Sequence, residues 1–259
     1  MTSSINHNIV GTIATVVINN PTKMNSISLE GWKQFGQVLR NLSANNSLRC
    51  IILRGEGDRA FSAGADISEF SQVRKNSAQA ASYGAVVAAG LKALRTCVHP
   101  TLAAIQGVCT GGGLEIACGC DLRIANTSAK FGIPINKLGH AFAFAEMQTV
   151  LDSIDRNLLL ELILEGRIIN SDEALNRGIV NRVIENNLFD DEIIATVKRI
   201  TEGAPLVNRA VKKFLARLGD PTPLREEEIT EGYALCDTND YAEGVRAFLS
   251  KKKPVFEGN

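Results

Sequence analysis

Apolar positions along the chain switch between two periods. In residues 12–20, "TIATVVINN", they alternate well enough for a strand. In residues 29–42, "LEGWKQFGQVLRNL", they recur at Leu29, Trp32, Phe35, Val38, Leu39 and Leu42, the spacing of one helix face. "RCIILRG" (49–55) is a short apolar run suited to a buried strand, and residues 80–97 read as a helix with Pro100 soon after its end. "TLAAIQGV" (101–108) predicts another buried strand, a helix follows from about Gly113, and "DLRIAN" (121–126) predicts a short strand. Strands that alternate with helices imply parallel pairing through crossovers.

Past about residue 145 the strand signal becomes rare. Residues 144–166 read as one or two helices. Residues 170–178, "NSDEALNRG", read as a short helix capped by Asn170 or Ser171, with acids in its first turn and Gly178 after its end. "IVNRVIE" (179–185) is a strand. Residues 190–203, 206–219 and most of 224–250 are helical, while "NNLF" and "DPTP" read as loops. The composition shift near residue 190 divides the chain into an α/β core (1–190) and a helical C-terminal region (191–259).

Composition narrows the function. Lys plus Arg and Asp plus Glu are 28 each, so the net charge is near zero, which argues against a nucleic-acid binder. No apolar run approaches the ~18 residues of a membrane span. The first residues lack the basic and apolar regions of a secretory signal. Most of the six cysteines sit in apolar surroundings, as reduced core thiols of a cytoplasmic protein do. With three histidines and no second cysteine pair at ligand spacing, no metal site is expected.

Two glycine motifs carry the candidate chemistry. "GDRAFSAGADISEF" (57–70) sets Gly64 between two alanines, before Asp66. Small residues there admit a ligand to the backbone, although a tight turn with Asp66 as a helix cap accounts for the same letters. "CTGGGLE" (109–115) is more specific: a strand, a glycine turn and a helix N-terminus present free N–H groups and a positive dipole end. It has no Lys–Ser/Thr after the glycines and no G-x-G-x-x-G, so neither a P-loop nor a dinucleotide fingerprint fits.

Taken together, "AFSAGADISEF", "GVCTGGGLEIACGCDLRIA" and "AKFGIP" resemble the enoyl-CoA hydratase/isomerase (crotonase) family. "NNPTKMNSIS", "LEGRIINSDEALNRGIVNRVI" and "EGVRAFLSKKKPVF" match its opening, middle and closing segments, so the resemblance covers nearly the whole chain. It implies a crotonase-like spiral of ββα units and a C-terminal helical region used for trimerisation, as a homotrimer or a dimer of trimers. It also implies an acyl-CoA ligand, with coenzyme A part of the substrate and no separate cofactor.

The resemblance further implies an oxyanion hole of two backbone N–H groups, at Ala65 and at Gly112, where a side chain would obstruct the thioester carbonyl. Glu115 takes the place of one of the family's two catalytic carboxylates. The second belongs in "F-G-x-P-E", where this chain has "FGIPI" and Ile135. His140 and Glu146 are candidates to replace it; otherwise they are a helix-start or surface histidine and a solvated or ion-paired charge. Phe142 and Phe144 are expected to narrow the acyl pocket. For CoA, the implied contacts are Lys23, Ala63, Gly64 and Asp66, with Phe248 and Lys251 reaching a neighbouring subunit's ligand. Asp121 reads as structural, and His7 and His99 have no visible constellation. The reaction is expected to be enoyl-CoA hydration, with one-acid double-bond isomerisation or non-catalytic acyl-CoA binding as alternatives.

Overall fold

The computed structural model describes residues 4–259. Its strands are β1 (Ser4–Val10), β2 (Ile13–Asn19), β3 (Cys50–Gly55), β4 (Ala60–Ser62), β5 (Thr101–Ile105), β6 (Val108–Thr110), β7 (Leu122–Asn126), β8 (Lys130–Gly132), β9 (Ile169–Asn170) and β10 (Arg182–Ile184). They form a six-stranded sheet ordered β1-β2-β3-β5-β7-β10 and a four-stranded sheet ordered β4-β6-β8-β9. The helices of the core are α1 (Leu29–Ser43), α2 (Phe70–Val73), α3 (Ser77–Arg95), α4 (Gly112–Gly119), α5 (Phe144–Leu151), α6 (Arg156–Leu164), α7 (Ser171–Asn176) and α8 (Phe189–Thr201). Three turns of chain, opening on β3, β5 and β7, each lay one strand in the large sheet, a shorter one in the small sheet, and then helix, stepping one strand along both sheets in the expected ββα spiral. In the last turn β9 comes first, antiparallel to β8, and α7 separates it from β10.

Pairing is parallel throughout the large sheet except for the antiparallel hairpin β1–β2. Strand β1 escapes sequence reasoning because it is an edge: of "SINHNIV" only Ile5 is buried, so no buried face imposes an apolar alternation. The run read as one strand over 101–108 is broken at Gly107, which takes φ +63°. A Cβ there would lie 2.0 Å from the Arg59 carbonyl oxygen, so the chain turns from one sheet into the other where only glycine fits.

The core lies between the large sheet and helices α1, α3 and α4, with Trp32, Phe35, Phe61 and Phe131 fully buried. The opposite face of the sheet is covered by α8, whose Phe189, Ile193 and Val197 pack on Cys50, Leu102, Ala104 and Ile124. Residue 190 lies in the first turn of α8. "NNLF" is no plain loop, since it forms a short 3₁₀ turn (Asn186–Leu188) and Phe189 opens α8.

Beyond α8 come α9 (Pro205–Leu218), α10 (Glu226–Glu231) and α11 (Asn239–Leu249). Lys212 of α9 ties this region back, reaching the His99 carbonyl at 2.6 Å and Asp121 at 2.7 Å. Asp121 also accepts from the Thr101 N–H at 2.7 Å, joining the starts of β5 and β7. His99 is buried, and burial followed by the positive charges of Arg209 and Lys212 pushes its pKa down to about 4, so it is a neutral core side chain. Among the described residues no helix is long and apolar enough to cross a membrane.

Candidate active site

The two glycine motifs meet. Ile27 forms a parallel bridge with Ala65: the Ile27 N–H donates to the Gly64 carbonyl at 2.7 Å, and the Asp66 N–H donates to Ile27 at 2.9 Å. In a parallel bridge the residue between those two bonds turns its own N–H to the other side. The Ala65 N–H is thereby released from the ladder. Gly64, at φ +92°, packs so closely on the glycine turn that a Cβ would stand 2.7 Å from the Gly112 nitrogen.

The three consecutive glycines answer three different constraints. Gly111 adopts φ +51°, ψ −124°, a conformation that L side chains rarely take, and hands the chain from β6 to α4. A Cβ on Gly113 would lie 2.2 Å from the Ser62 carbonyl oxygen of β4. At Gly112 the expected obstruction takes another form: an added Cβ would meet the Trp32 ring at 2.8 Å. The Gly112 N–H is at the first turn of α4, where no intrahelical acceptor exists.

Ala65 and Gly112 border one cavity of about 120 Å³, open to solvent at its mouth. Its walls come from Trp32 of α1, Phe70 of α2, Tyr83 and Val87 of α3, and the segment after β8. Glu115, in the first turn of α4, faces the cavity and is 5% exposed. Its Oε2 has no hydrogen-bond partner among the described residues. Burial, and then the neighbouring Glu146 carboxylate, push the Glu115 carboxyl well above the usual range, while Arg74 opposes them. The Arg74 guanidinium stacks over Phe70 at 5.1 Å and Tyr83 at 5.4 Å and lies 3.2 Å from His140 Nδ1.

Ile135 opens a 3₁₀ turn (Ile135–Leu138), packs partly buried against the core and lines the cavity with no polar group. His140 and Phe142 line it as well. Phe144 does not: as the first residue of α5 it points outward and is 93% exposed. Only Ala143 separates the aromatics, but Phe142 precedes the helix and is buried, whereas Phe144 begins the helix and is exposed. Glu146 is the residue that sequence reasoning undervalued. It is 6% exposed, lines the cavity, and accepts the Ala143 N–H on Oε2 at 3.1 Å. A Glu at the third position of a helix is the signal that could have placed it, because a carboxylate there folds back on the helix start.

Of the residues carried over for CoA, Ala63 lines the cavity and Gly64 stands beside Gly112. Lys23 Nζ is engaged at 2.7 Å with both Asp66 and Ser68. Burial works against the Asp66 carboxylate, but the Lys23 and Ser68 bonds outweigh it and hold its pKa below the usual range. Asp66 also caps its 3₁₀ turn by accepting from the Ser68 N–H, as its letters suggested. Phe248 is 83% exposed on α11 and Lys251 lies just beyond that helix; neither touches this cavity.

A family profile described as "Enoyl-CoA hydratase/isomerase" matches residues 8–259. A short-chain-enoyl-CoA hydratase of Clostridium acetobutylicum is 30% identical over 247 residues, covering 94% of this chain and 93% of the relative. An (E)-benzylidenesuccinyl-CoA hydratase of Thauera aromatica is 32% identical over 253 residues, covering 95% and 96%. The crystal structure of an enoyl-CoA hydratase/carnithine racemase from Magnetospirillum magneticum superposes with a TM-score of 0.97 at 46% identity, covering 100% of this chain and 97% of that one. With motif, spiral and cavity in agreement with these matches, the chain belongs to the enoyl-CoA hydratase/isomerase family of enzymes.

Proposed function

We propose that the protein adds water across the double bond of a 2-enoyl-CoA thioester. The observation that carries this reading is the convergence of the Ala65 and Gly112 N–H groups with Glu115 on one cavity. As water adds to the β-carbon, charge moves onto the thioester oxygen. Two fixed donors there stabilise it, each worth roughly 2.7–4 kcal/mol in other acyl-transfer enzymes, and the α4 dipole acts in the same sense. Glu115 handles the proton of the α-carbon. On this reading Lys23, Ala63, Gly64 and Asp66 flank the CoA moiety, Phe248 and Lys251 meet the CoA of a neighbouring copy, and nothing beyond the substrate's own CoA is needed as cofactor. Six free cysteines fit a reducing, cytoplasmic setting.

The test is a spectrophotometric screen of purified protein against enoyl-CoA esters of several lengths and double-bond positions. Loss of the conjugated-enoyl absorbance with 2-enoyl esters is expected. The apolar Ile135 favours a second reading, in which Glu115 alone shuttles a proton; migration of the double bond without water addition would select it. Tight binding with no turnover on any ester would leave a binding role instead.

Assembly is part of the proposal. Along α9, Val207, Val211, Leu215 and Leu218 form an exposed apolar stripe, and only Pro205 of this helix is buried. Such a stripe is costly in water and points to a further copy of this chain. Sedimentation is expected to show a trimer or hexamer. A stable monomer at micromolar concentration would refute this.

A further inference from the structure

The cavity contains two buried carboxyl groups, and the mechanism above uses one. The second, Glu146, reaches it from α5, a different element from the one in which the motif places a second acid. The place in the motif holds Ile135, which turns a hydrocarbon wall to the same cavity. Among the cavity-lining residues Glu115 and Glu146 are the only acids.

Capping alone does not account for Glu146. A carboxylate at the third position of a helix can serve the N-terminus from the solvent side, yet this one is 6% exposed. The chain before it is drawn inward by Phe142, which is buried, so the first turn of α5 opens onto the cavity. Only Oε2 is occupied by the Ala143 N–H. Opposite, Glu115 presents an oxygen with no partner among the described residues. Two carboxylates this deep cannot both be ionised at low cost. The charged and titratable groups facing them are Arg74 from the end of α2, Tyr83 from α3, Cys118 from α4 and His140 from the segment before α5. At the far end of α5, Asp152 is already paired with Arg95. Burial and then the neighbouring Glu146 carboxylate favour the protonated form of Glu115, and Arg74 opposes them.

We infer that Glu115 and Glu146 work as a pair across one cavity in which Glu146 is the second acid–base group of hydration, supplied from α5 in place of position 135. This rests on the hydratase reading. In the hydration step Glu115 is the proton donor and Glu146 the proton acceptor. Glu146 takes a proton from water as the oxygen bonds to the β-carbon. The π electrons of the double bond shift onto the thioester oxygen held by Ala65 and Gly112. As the enolate collapses, the Glu115 O–H bond breaks and its proton goes to the α-carbon. Glu146 is then the acid and Glu115 the carboxylate, and passage of one proton between them restores the start. Water has been divided into the hydroxyl on the β-carbon and, through the pair, the hydrogen on the α-carbon.

The test uses full-length Glu146→Gln beside wild type. A glutamine at this position still accepts the Ala143 N–H, so the cap survives while the acid is removed. Hydration of the best 2-enoyl-CoA is expected to fall at least about 100-fold, with product affinity unchanged. Exchange of the α-proton of a saturated acyl-CoA with deuterated water, which needs only Glu115, should persist. A residue that merely held α5 in place would lose both activities or neither. If Glu146→Gln hydrates at the wild-type rate, Glu146 is a helix cap and the inference is overturned. Should the variant fail to fold, the wild-type pH–rate profile decides: two ionisations, one on each limb, are required, and a single one overturns the pair. Wild-type protein that hydrates no ester sinks the hydratase reading itself, a result separate from these.

Discussion

Glu115→Gln is expected to lower turnover at least about 100-fold, the low end for a general acid–base group, while acyl-CoA affinity stays nearly unchanged. The substitution keeps the shape of the side chain and removes its proton chemistry. On the proposed reading, ligand is held by backbone N–H groups and apolar walls, which the change does not touch. The same variant should alter stability in a pH-dependent way. Folding raises the Glu115 pKa above its ordinary 4.5, through burial first and Glu146 second. The folded protein therefore keeps a proton that the unfolded chain releases. Stability from this group is complete below pH 4.5 and declines as pH rises toward the folded-state pKa. Glutamine has no such decline, so the variant should match wild type in acid and exceed it at neutral and alkaline pH. Denaturant titrations across that range, together with turnover assays, check both halves. Full activity in the variant would move the chemistry away from α4.

The second large effect is expected from Gly64→Ala. Its Cβ would stand 2.7 Å from the Gly112 nitrogen and 2.9 Å from the Thr110 carbonyl oxygen, both backbone atoms that cannot swing aside. The φ of +92° adds strain of about 1–3 kcal/mol. The two loops must separate, and the spacing of the Ala65 and Gly112 N–H groups, the proposed oxyanion donors, opens with them. Loss of one such donor costs roughly 10²–10³ in turnover, so a drop of that size is expected in a protein that still folds with a lowered melting temperature. A folded Gly64→Ala with wild-type turnover would show that the spacing of these two N–H groups is immaterial. Gly112→Val is a poorer probe, because its side chain would collide with Trp32 and disturb the core as well as the site.

Most of the large sheet was legible because its strands are buried runs bounded by polar turns. The short strands were not. β4, β6 and β8 have three residues each and β9 has two, too few to display any period. Their existence follows from pairing between distant segments. The glycine turn could be read because its positions are restrictive: Gly64, Gly111, Gly112 and Gly113 sit where almost nothing else fits. Glu146 was hidden for the opposite reason. A glutamate is at home on any helix surface, and only the burial of Phe142 beside it turns the first turn of α5 inward. Adding a carboxylate by Ile135→Glu, reasonable on the motif alone, would place a third acid against two already buried in the same cavity.

The chain contains a single tryptophan, Trp32, and its indole lies against the Cα side of Gly112 while forming part of the cavity wall. Intrinsic fluorescence of this protein is therefore a one-site signal. Excited selectively, every photon comes from the rim of the glycine turn and none from the C-terminal helices or the far side of the sheet. Occupancy can be titrated without label, coupled enzyme or turnover. Variants with no catalysis can be compared with active ones on the same scale, and a change in emission on mixing times the arrival of an acyl group at the turn itself.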